Sequence, residues 1–292
     1  MRLGRRALML GGSAALCARP ALADCPAALT KVPLDTGSGP CVVPVSLAGH
    51  TVRMVLDTGA ERTVLTRAAV ARFGLPLDDY VGSTMRGAGG RIDEHRNAIV
   101  PNLSIGGVGL AVQTPGAALS LPVVAFELDD IAGLLGGDVL RHTTLDFDFA
   151  GGWLSVLPDH TCALSAAEAV PLTLLRRFLL LAPVQLDGHK LTALVDTGAS
   201  VSLINARGLY RLGLAPAQTA HDPQVSPKAL GGSISAQRHN FHTLRLGGRE
   251  IASPSLLVYP QPEPAFDLVL GLDILARQKI RLSYAEPRLE LG

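Results

Sequence analysis

The chain has 292 residues and a formal net charge of +1, enough length for one large domain or two modest ones with a full apolar core. The near-zero charge excludes a broad basic field for nucleic acid, and only four lysines (31, 190, 228 and 279) accompany the many arginines, a coding bias rather than a phosphate-binding patch. Aromatics make up 4% of residues, while 31 Gly and 20 Pro favour many short strands over long helices.

Residues 1–23 read as an export signal. Arg2, Arg5 and Arg6 form a basic start, residues 7–18 a short apolar run, and Ala21-Leu22-Ala23 an A-x-A cleavage site, so the mature chain would begin at Asp24. The apolar run is too short for a membrane span. Gly4-Arg5-Arg6 is compatible with a twin-arginine signal, and an ordinary secretory signal fits equally. Asp24 makes Cys25 a poor lipidation site. The expectation is a soluble exported protein, bacterial and periplasmic, with no stable membrane span after signal removal.

Cys25, Cys41 and Cys162 would remain where disulfides are permitted, allowing one bridge and one spare thiol. Their spacing before the two repeats favours Cys25–Cys162, with Cys25–Cys41 as the alternative. None sits in a Gly-rich turn that would suit a cysteine nucleophile.

From residue 44 the chain repeats itself. Residues 44–76 align without a gap to 183–215 at a constant offset of 139, and 12 of the 33 positions are identical. Residues 44–50 read as a strand entering a turn, and 51–56 as the returning strand, a hairpin that delivers Asp57. The second copy delivers Asp196. Each apolar strand runs into Asp-Thr-Gly-Ala (Asp57, Thr58, Gly59, Ala60; Asp196, Thr197, Gly198, Ala199), turns, and leaves as another apolar strand. A carboxylate between a buried strand and a Gly turn is costly alone. Two at matching points of two repeats suggest a shared acid/base site.

Short helices follow over residues 66–73 and 205–212, with Thr66 and Asn205 as N-caps and Gly74 and Gly213 behind them. Next in each half comes a Gly-rich polar stretch: Gly87, Ala88, Gly89 and Gly90 in the first, Gly231 and Gly232 in the second. Each is followed by alternating residues and a Gly-Gly turn. The last shared block, 134–140, matches 269–275 at an offset of 135. It is two apolar residues and a Gly before a short helix, opened by Asp138 or Asp273, where an acid favours the N-terminus. Each half closes with a strand, at 152–157 and 288–291. A linker is expected at 158–171, dividing a first lobe, 24–157, from a second, 172–292. Residues 24–40 also suit a short pro-segment.

The duplicated motif resembles the aspartic peptidases, and within them the retropepsin-like group with Asp-Thr-Gly-Ala. The resemblance covers nearly the whole mature chain. It implies an all-β, two-lobed pepsin/retropepsin-like acid protease fold with pseudo-twofold symmetry and a few short helices. It implies an aspartic endopeptidase acting on a peptide or protein substrate, with no cofactor and no metal, and a monomer because both halves lie in one chain. Asp57 and Asp196 would be catalytic. Thr58 and Thr197 would be crossed threonines whose hydroxyls bond backbone across the axis, and Gly59 and Gly198 would fit a tight turn. Ala60 and Ala199 stand where pepsin-type members carry Ser or Thr. Glu61 and Ser200 follow where retroviral relatives contact substrate backbone. Gly87, Ala88, Gly89, Gly90, Gly231 and Gly232 would lie in substrate-binding flaps, where Gly permits close backbone approach and motion. The block at 134–140 would be the family's second signature, threading beside the catalytic turn.

Other features read as structural. Asp35-Thr36-Gly37 follows no continuous apolar strand, precedes Ser38-Gly39-Pro40, and lies only 22 residues before Asp57; turn chemistry explains it. His50 and His189 sit in equivalent turns. Glu127, Asp129 and Asp130 have no His at ligand spacing. No Gly loop is followed by Lys-Ser or Lys-Thr. The alternative to a peptidase is a catalytically silent peptide-binding or assembly module on the same fold. Retention of both aspartates with both threonines separates the two, because a binding module has little reason to keep two buried like-charged acids.

Overall fold

The computed structural model describes residues 30–37, 39–87, 90–110, 117–125, 130–158, 168–229, 232–259, 261 and 265–292. The signal segment, Cys25 and Cys162 lie outside them. The fold is mostly β, with five short helices among the described residues. None of these is long and apolar enough to cross a membrane.

Two large sheets carry the two copies of the repeat. The first runs Leu77–Gly87, Gly90–Val100, Leu119–Val124, Val64–Thr66, Gly133–Leu135, His50–Leu56, Val42–Leu47, Leu103–Ile105, Val108–Gly109. The second repeats that order with Gln224–Val225, Ala236–Asn240, Ser255–Tyr259, Leu203–Asn205, Leu268–Leu270, His189–Val195, Leu179–Leu186, Thr243–Leu246 and Arg249–Ala252. The same topology in the same sequence order is the three-dimensional form of the internal repeat. Thr173–Leu175 adds to the second sheet beside Leu179–Leu186.

The local chemistry accounts for the elements. Val42–Leu47 buries Val43, Val45 and Leu47, the period of a half-buried strand. It returns through Ala48-Gly49, with φ of 49° and 85°, into His50–Leu56; Asp187-Gly188, at 47° and 81°, makes the equivalent turn. Both are two-residue hairpin turns of the primed kind. The ends of the returning strands, Met54-Val55-Leu56 and Ala193-Leu194-Val195, are buried throughout. One face joins the main core, and the other joins a smaller cluster around Val55 and Leu134, or Leu194 and Val269. A strand covered on both faces reads as a continuous apolar run. The caps act as the sequence suggests: Thr66 accepts from the Ala69 amide and Asn205 from the Gly208 amide, while Gly74 and Gly213 take φ of 58° and 68°.

A third, six-stranded sheet joins the lobes in the order Lys31–Pro33, Trp153–Pro158, Thr143–Asp148, Ile280–Ser283, Arg288–Leu291, Glu168–Pro171. At its centre Thr143–Asp148 pairs antiparallel with Ile280–Ser283, and the buried Arg281 guanidinium bonds Asp146 at 2.7 Å. This sheet departs from the expected linker. Pro158 and 168–171, expected in a linker, belong to strands, and Glu168–Pro171 pairs with Arg288–Leu291. Lys31–Pro33, inside the stretch suited to a pro-segment, is an edge strand paired with Trp153–Pro158. Both pairings are long-range, so no local pattern announces them. Residues 216–219 form one further helix, Pro216–Thr219, of only four residues.

Candidate active site

Each aspartate is placed by a three-strand arrangement. Gly133–Leu135 runs parallel to His50–Leu56 and antiparallel to Val64–Thr66, and Leu268–Leu270 does the same between His189–Val195 and Leu203–Asn205. The Asp57 amide donates to the Leu135 carbonyl and the Asp196 amide to the Leu270 carbonyl, each at 3.0 Å. Gly136 and Gly271 are required where the strands cross. An added Cβ would come within 2.5 Å of the Arg62 backbone in one lobe and 2.7 Å of the Val201 backbone in the other.

The two loops meet face to face. Thr58 and Thr197 are fully buried. The Thr58 hydroxyl donates to the Val195 carbonyl at 2.8 Å and accepts from the Thr197 amide at 3.0 Å. The Thr197 hydroxyl donates to the Leu56 carbonyl at 2.6 Å and accepts from the Thr58 amide at 3.3 Å. Each glycine lies under the other lobe's carboxyl group: a Cβ on Gly59 would sit 2.3 Å from Asp196 Cγ, and one on Gly198 2.4 Å from Asp57 Cγ. No side chain fits at either position.

The carboxyl groups of Asp57 and Asp196 lie side by side, each seated against the other lobe's glycine and within electrostatic reach of its partner. Both residues are half-buried. Burial pushes both above the ordinary carboxylate range, and the neighbouring Asp196 charge pushes Asp57 further. The surroundings are unequal. Asp57 Oδ1 accepts from the Gly59 amide at 3.0 Å, whereas Asp196 Oδ1 accepts from Gly198 at 2.8 Å and Ala199 at 3.1 Å. Amides aimed at a carboxylate favour its charged form. Such a pair can hold one proton between two oxygens and can both accept and donate a proton.

Two family models match the chain, "Aspartyl protease" over residues 43–139 and "gag-polyprotein putative aspartyl protease" over residues 182–277. Each covers one copy of the repeat. The chain belongs to the retropepsin-like aspartic peptidases. It is thereby an aspartic protease, a hydrolase of peptide bonds. Among solved structures it is similar to an aspartic proteinase from Irpex lacteus, with a TM-score of 0.56 and 14% identity over 91% of this chain and 97% of that one. At that identity the likeness speaks for the two-lobed pepsin-like fold. No curated protein sequence matches the chain.

Other residues of this retropepsin-like chain support the loops in ways the sequence reading missed. The Thr63 amide and hydroxyl both donate to Asp138 Oδ1, at 2.8 and 2.7 Å, and the hydroxyl accepts from the Gly136 amide at 2.9 Å. Ser202 repeats the pattern on Asp273 Oδ1, at 2.9 and 2.6 Å, accepting from Gly271 at 2.9 Å. Asp138 and Asp273 therefore fasten the strand leaving each Asp-Thr-Gly turn to the short helix beside it. Burial raises both carboxyls above their usual range. The available signal was a hydroxyl six residues after each aspartate, at Thr63 and Ser202. The Ala60 and Ala199 carbonyls serve the same fastening, accepting from the Gly137 and Leu272 amides.

The flap residues are only partly described. Leu77–Gly87 and Gly90–Val100 form a long hairpin closed by the pair Gly87 and Gly90. Lys228–Ala229 and Gly232–Ser233 form a short one closed by Ala229 and Gly232. Gly90 and Gly232 share a φ of 136°, which only glycine adopts with ease. Ala88, Gly89 and Gly231 lie outside the described residues, as do Glu127 and Asp129.

The third Asp-Thr-Gly stands apart from the aspartate pair. Asp35 is exposed, bridges to Val42, and pairs with Arg53 at 2.7 Å. His50 stacks on Phe73, and Asp130 approaches Arg53 at 3.9 Å. No group of three metal-ligating side chains occurs among the described residues. Cys41 is a free thiol buried in the core, its pKa pushed up to about 12 by burial. Glu61 and Ser200 differ: Glu61 pairs with Arg176 of the second lobe at 2.8 Å.

Proposed function

We propose that the chain is an aspartic endopeptidase in which Asp57 and Asp196 share one proton and activate a water between them. The observation that carries this reading is the juxtaposition of two half-buried carboxyl groups, each seated on the other lobe's glycine, with the loops locked by the crossed threonines. The extra amide on Asp196 favours writing the charge there and the proton on Asp57. Asp196 then takes a proton from the water, whose oxygen adds to the scissile carbonyl carbon while Asp57 gives its proton to the carbonyl oxygen. In the tetrahedral gem-diol that results, Asp57 takes back a hydroxyl proton, the carbon–nitrogen bond breaks, and Asp196 protonates the leaving nitrogen. No covalent enzyme intermediate is needed.

A silent binding module gains nothing from holding two acids together in a site that raises the cost of ionising both. Digestion of a mixed peptide library by wild type and Asp57→Asn, with products read by mass spectrometry, tests the assignment. Internal cleavage by the wild type alone supports it, and equal product patterns overturn it.

The same reading puts the enzyme outside the cytoplasm as a monomer, on the strength of the basic start, apolar run and Ala21-Leu22-Ala23, and of two half-sites in one chain. The secreted form should begin at Asp24 by intact-mass measurement. A mature form retaining Arg5 and Arg6 would show instead that the segment anchors.

A further inference from the structure

The turn between Thr173–Leu175 and Leu179–Leu186 passes through Arg176 and Arg177, whose φ angles are 50° and 71°. The Phe178 amide donates to the Leu175 carbonyl at 3.1 Å and Leu175 pairs with Leu179, so Arg176, Arg177 and Phe178 make a three-residue hairpin loop. Two consecutive residues at positive φ suit Asn or Gly; two long cationic side chains in the left-handed region are a strained choice. The hairpins that deliver the two aspartates turn instead through Ala48-Gly49 and Asp187-Gly188. Strain held at one place is a pointer to function there.

The tip of this turn docks on the first lobe at the edge of the candidate site. Arg176 Nη1 lies 2.8 Å from Glu61 Oε1. The Phe178 carbonyl covers Gly137 so closely that a Cβ would come within 2.2 Å of it, and the Arg141 guanidinium lies 5.6 Å above the Phe178 ring. Arg62, next to Glu61, passes directly over Gly136. Four arginines and one glutamate therefore share this edge. Glu61 is four residues beyond Asp57, no more than about 14 Å along an extended chain. Arg62 and Arg177 are both exposed and neither forms a salt bridge among the described residues.

The twofold-related edge is different. The equivalents of Glu61 and Arg62 are Ser200 and Val201, and that of Arg141 is Ala276. Charge thus breaks the symmetry that the backbone keeps. A peptide extended across the aspartate pair has one arm toward the arginine-rich edge and the other toward an edge where Arg277, bonded to the Asp273 carbonyl, is the nearby cation. At about 3.3 Å per residue, the second to fourth residue of an arm comes level with the edge.

The geometry points to Arg62 and Arg177 as specificity-determining residues that bind an acidic side chain of the peptide substrate, two to four residues from the scissile bond on one side only. This rests on the reading of Asp57 and Asp196 as the catalytic pair. Arg176 is a positioning residue: its pair with Glu61 holds the turn against the first lobe. Guanidinium groups suit the task because they grip a carboxylate through two parallel donors and stay charged at every working pH.

The test uses peptides differing only by Glu or Gln at one position, scanned along both arms, at about pH 6, where glutamate is ionised. The wild type should prefer Glu about 2- to 5-fold in kcat/KM at one position of one arm, the range of a solvent-screened ion pair, with the preference fading at high salt. In the Arg62→Gln, Arg177→Gln double variant the Glu/Gln ratio should fall to about 1, and Arg177→Lys should keep part of it. A merely structural role would slow both peptides alike and leave the ratio unchanged. The same ratio is read as Kd with non-hydrolysable reduced-amide peptides. If the wild type cleaves no peptide, the proteolytic reading fails, and the Kd ratio still decides the edge. Equal treatment of Glu and Gln in the wild type, or a preference that survives the double variant, overturns the proposal.

Discussion

Replacing Thr197 by Val keeps the side-chain shape and removes only the hydroxyl. The variant loses the 2.6 Å bond to the Leu56 carbonyl and the 3.3 Å bond from the Thr58 amide. Thr58→Val loses the matching bonds, 2.8 Å to the Val195 carbonyl and 3.0 Å from the Thr197 amide. Each change leaves two backbone groups beside a threonine with 0% exposure, out of reach of water. A buried group left unpaired costs about 1–3 kcal/mol, so each variant should lose about 2–6 kcal/mol. For a chain of this size that corresponds to a Tm drop of roughly 5–15 °C. The two losses should agree within about 1 kcal/mol, because the bonds are the same in both lobes. Activity should fall on the order of 10-fold or more beyond any loss of folded protein, since the threonines set the approach of the two loops and small misplacement is expensive. Thermal unfolding and kcat measured on the same samples check this. A Tm shift below about 2 °C in either variant would refute the view that the crossed hydroxyls hold the loops together.

The Ala60→Ser, Ala199→Ser double variant should work best at lower pH than the wild type. A hydroxyl donating to the charged carboxylate lowers its pKa, and the wild type has none to offer at these positions. Burial already raises both aspartates, so the singly protonated pair of the wild type should persist to higher pH, with an optimum at about pH 4–6. A pH–rate profile with the variant's optimum unmoved or raised would sink the hydroxyl argument. Asp35→Asn should leave turnover unchanged and cost at most about 1 kcal/mol, because it removes only an exposed pair with Arg53. Loss comparable to that of Asp57→Asn would restore the third Asp-Thr-Gly as a functional motif.

The elements legible in the sequence are those with a local or a repeated cause. The buried strands ending in Asp57 and Asp196 carry continuous apolar runs, and the helices after them have hydroxyl or amide caps and glycine stops. The crossed threonines were expected from the resemblance that the doubled motif carries. What was not legible depends on chain segments meeting from afar. Nothing near Glu168 says that it will pair with Leu291, and so 168–171 reads as linker. Asp138 reads as a helix-opening acid until Thr63 is seen to donate to it twice. Glu61 meets Arg176 only because the second lobe brings its strained turn to that edge. The helix Pro216–Thr219 is too short for a periodic signal.

The central claim is that Asp57 and Asp196 act as one unit. Its most direct test is kcat/KM for Asp57→Asn, Asp196→Asn and the double variant on one cleavable peptide, with folding and reduced-amide binding measured alongside. Each single variant should lose about 10²–10⁴-fold or more while remaining folded and able to bind. The double variant should be little worse than either, because the shared proton is lost at the first substitution. Either single variant retaining activity within about 10-fold of wild type, or losses that multiply in the double variant, would contradict the account.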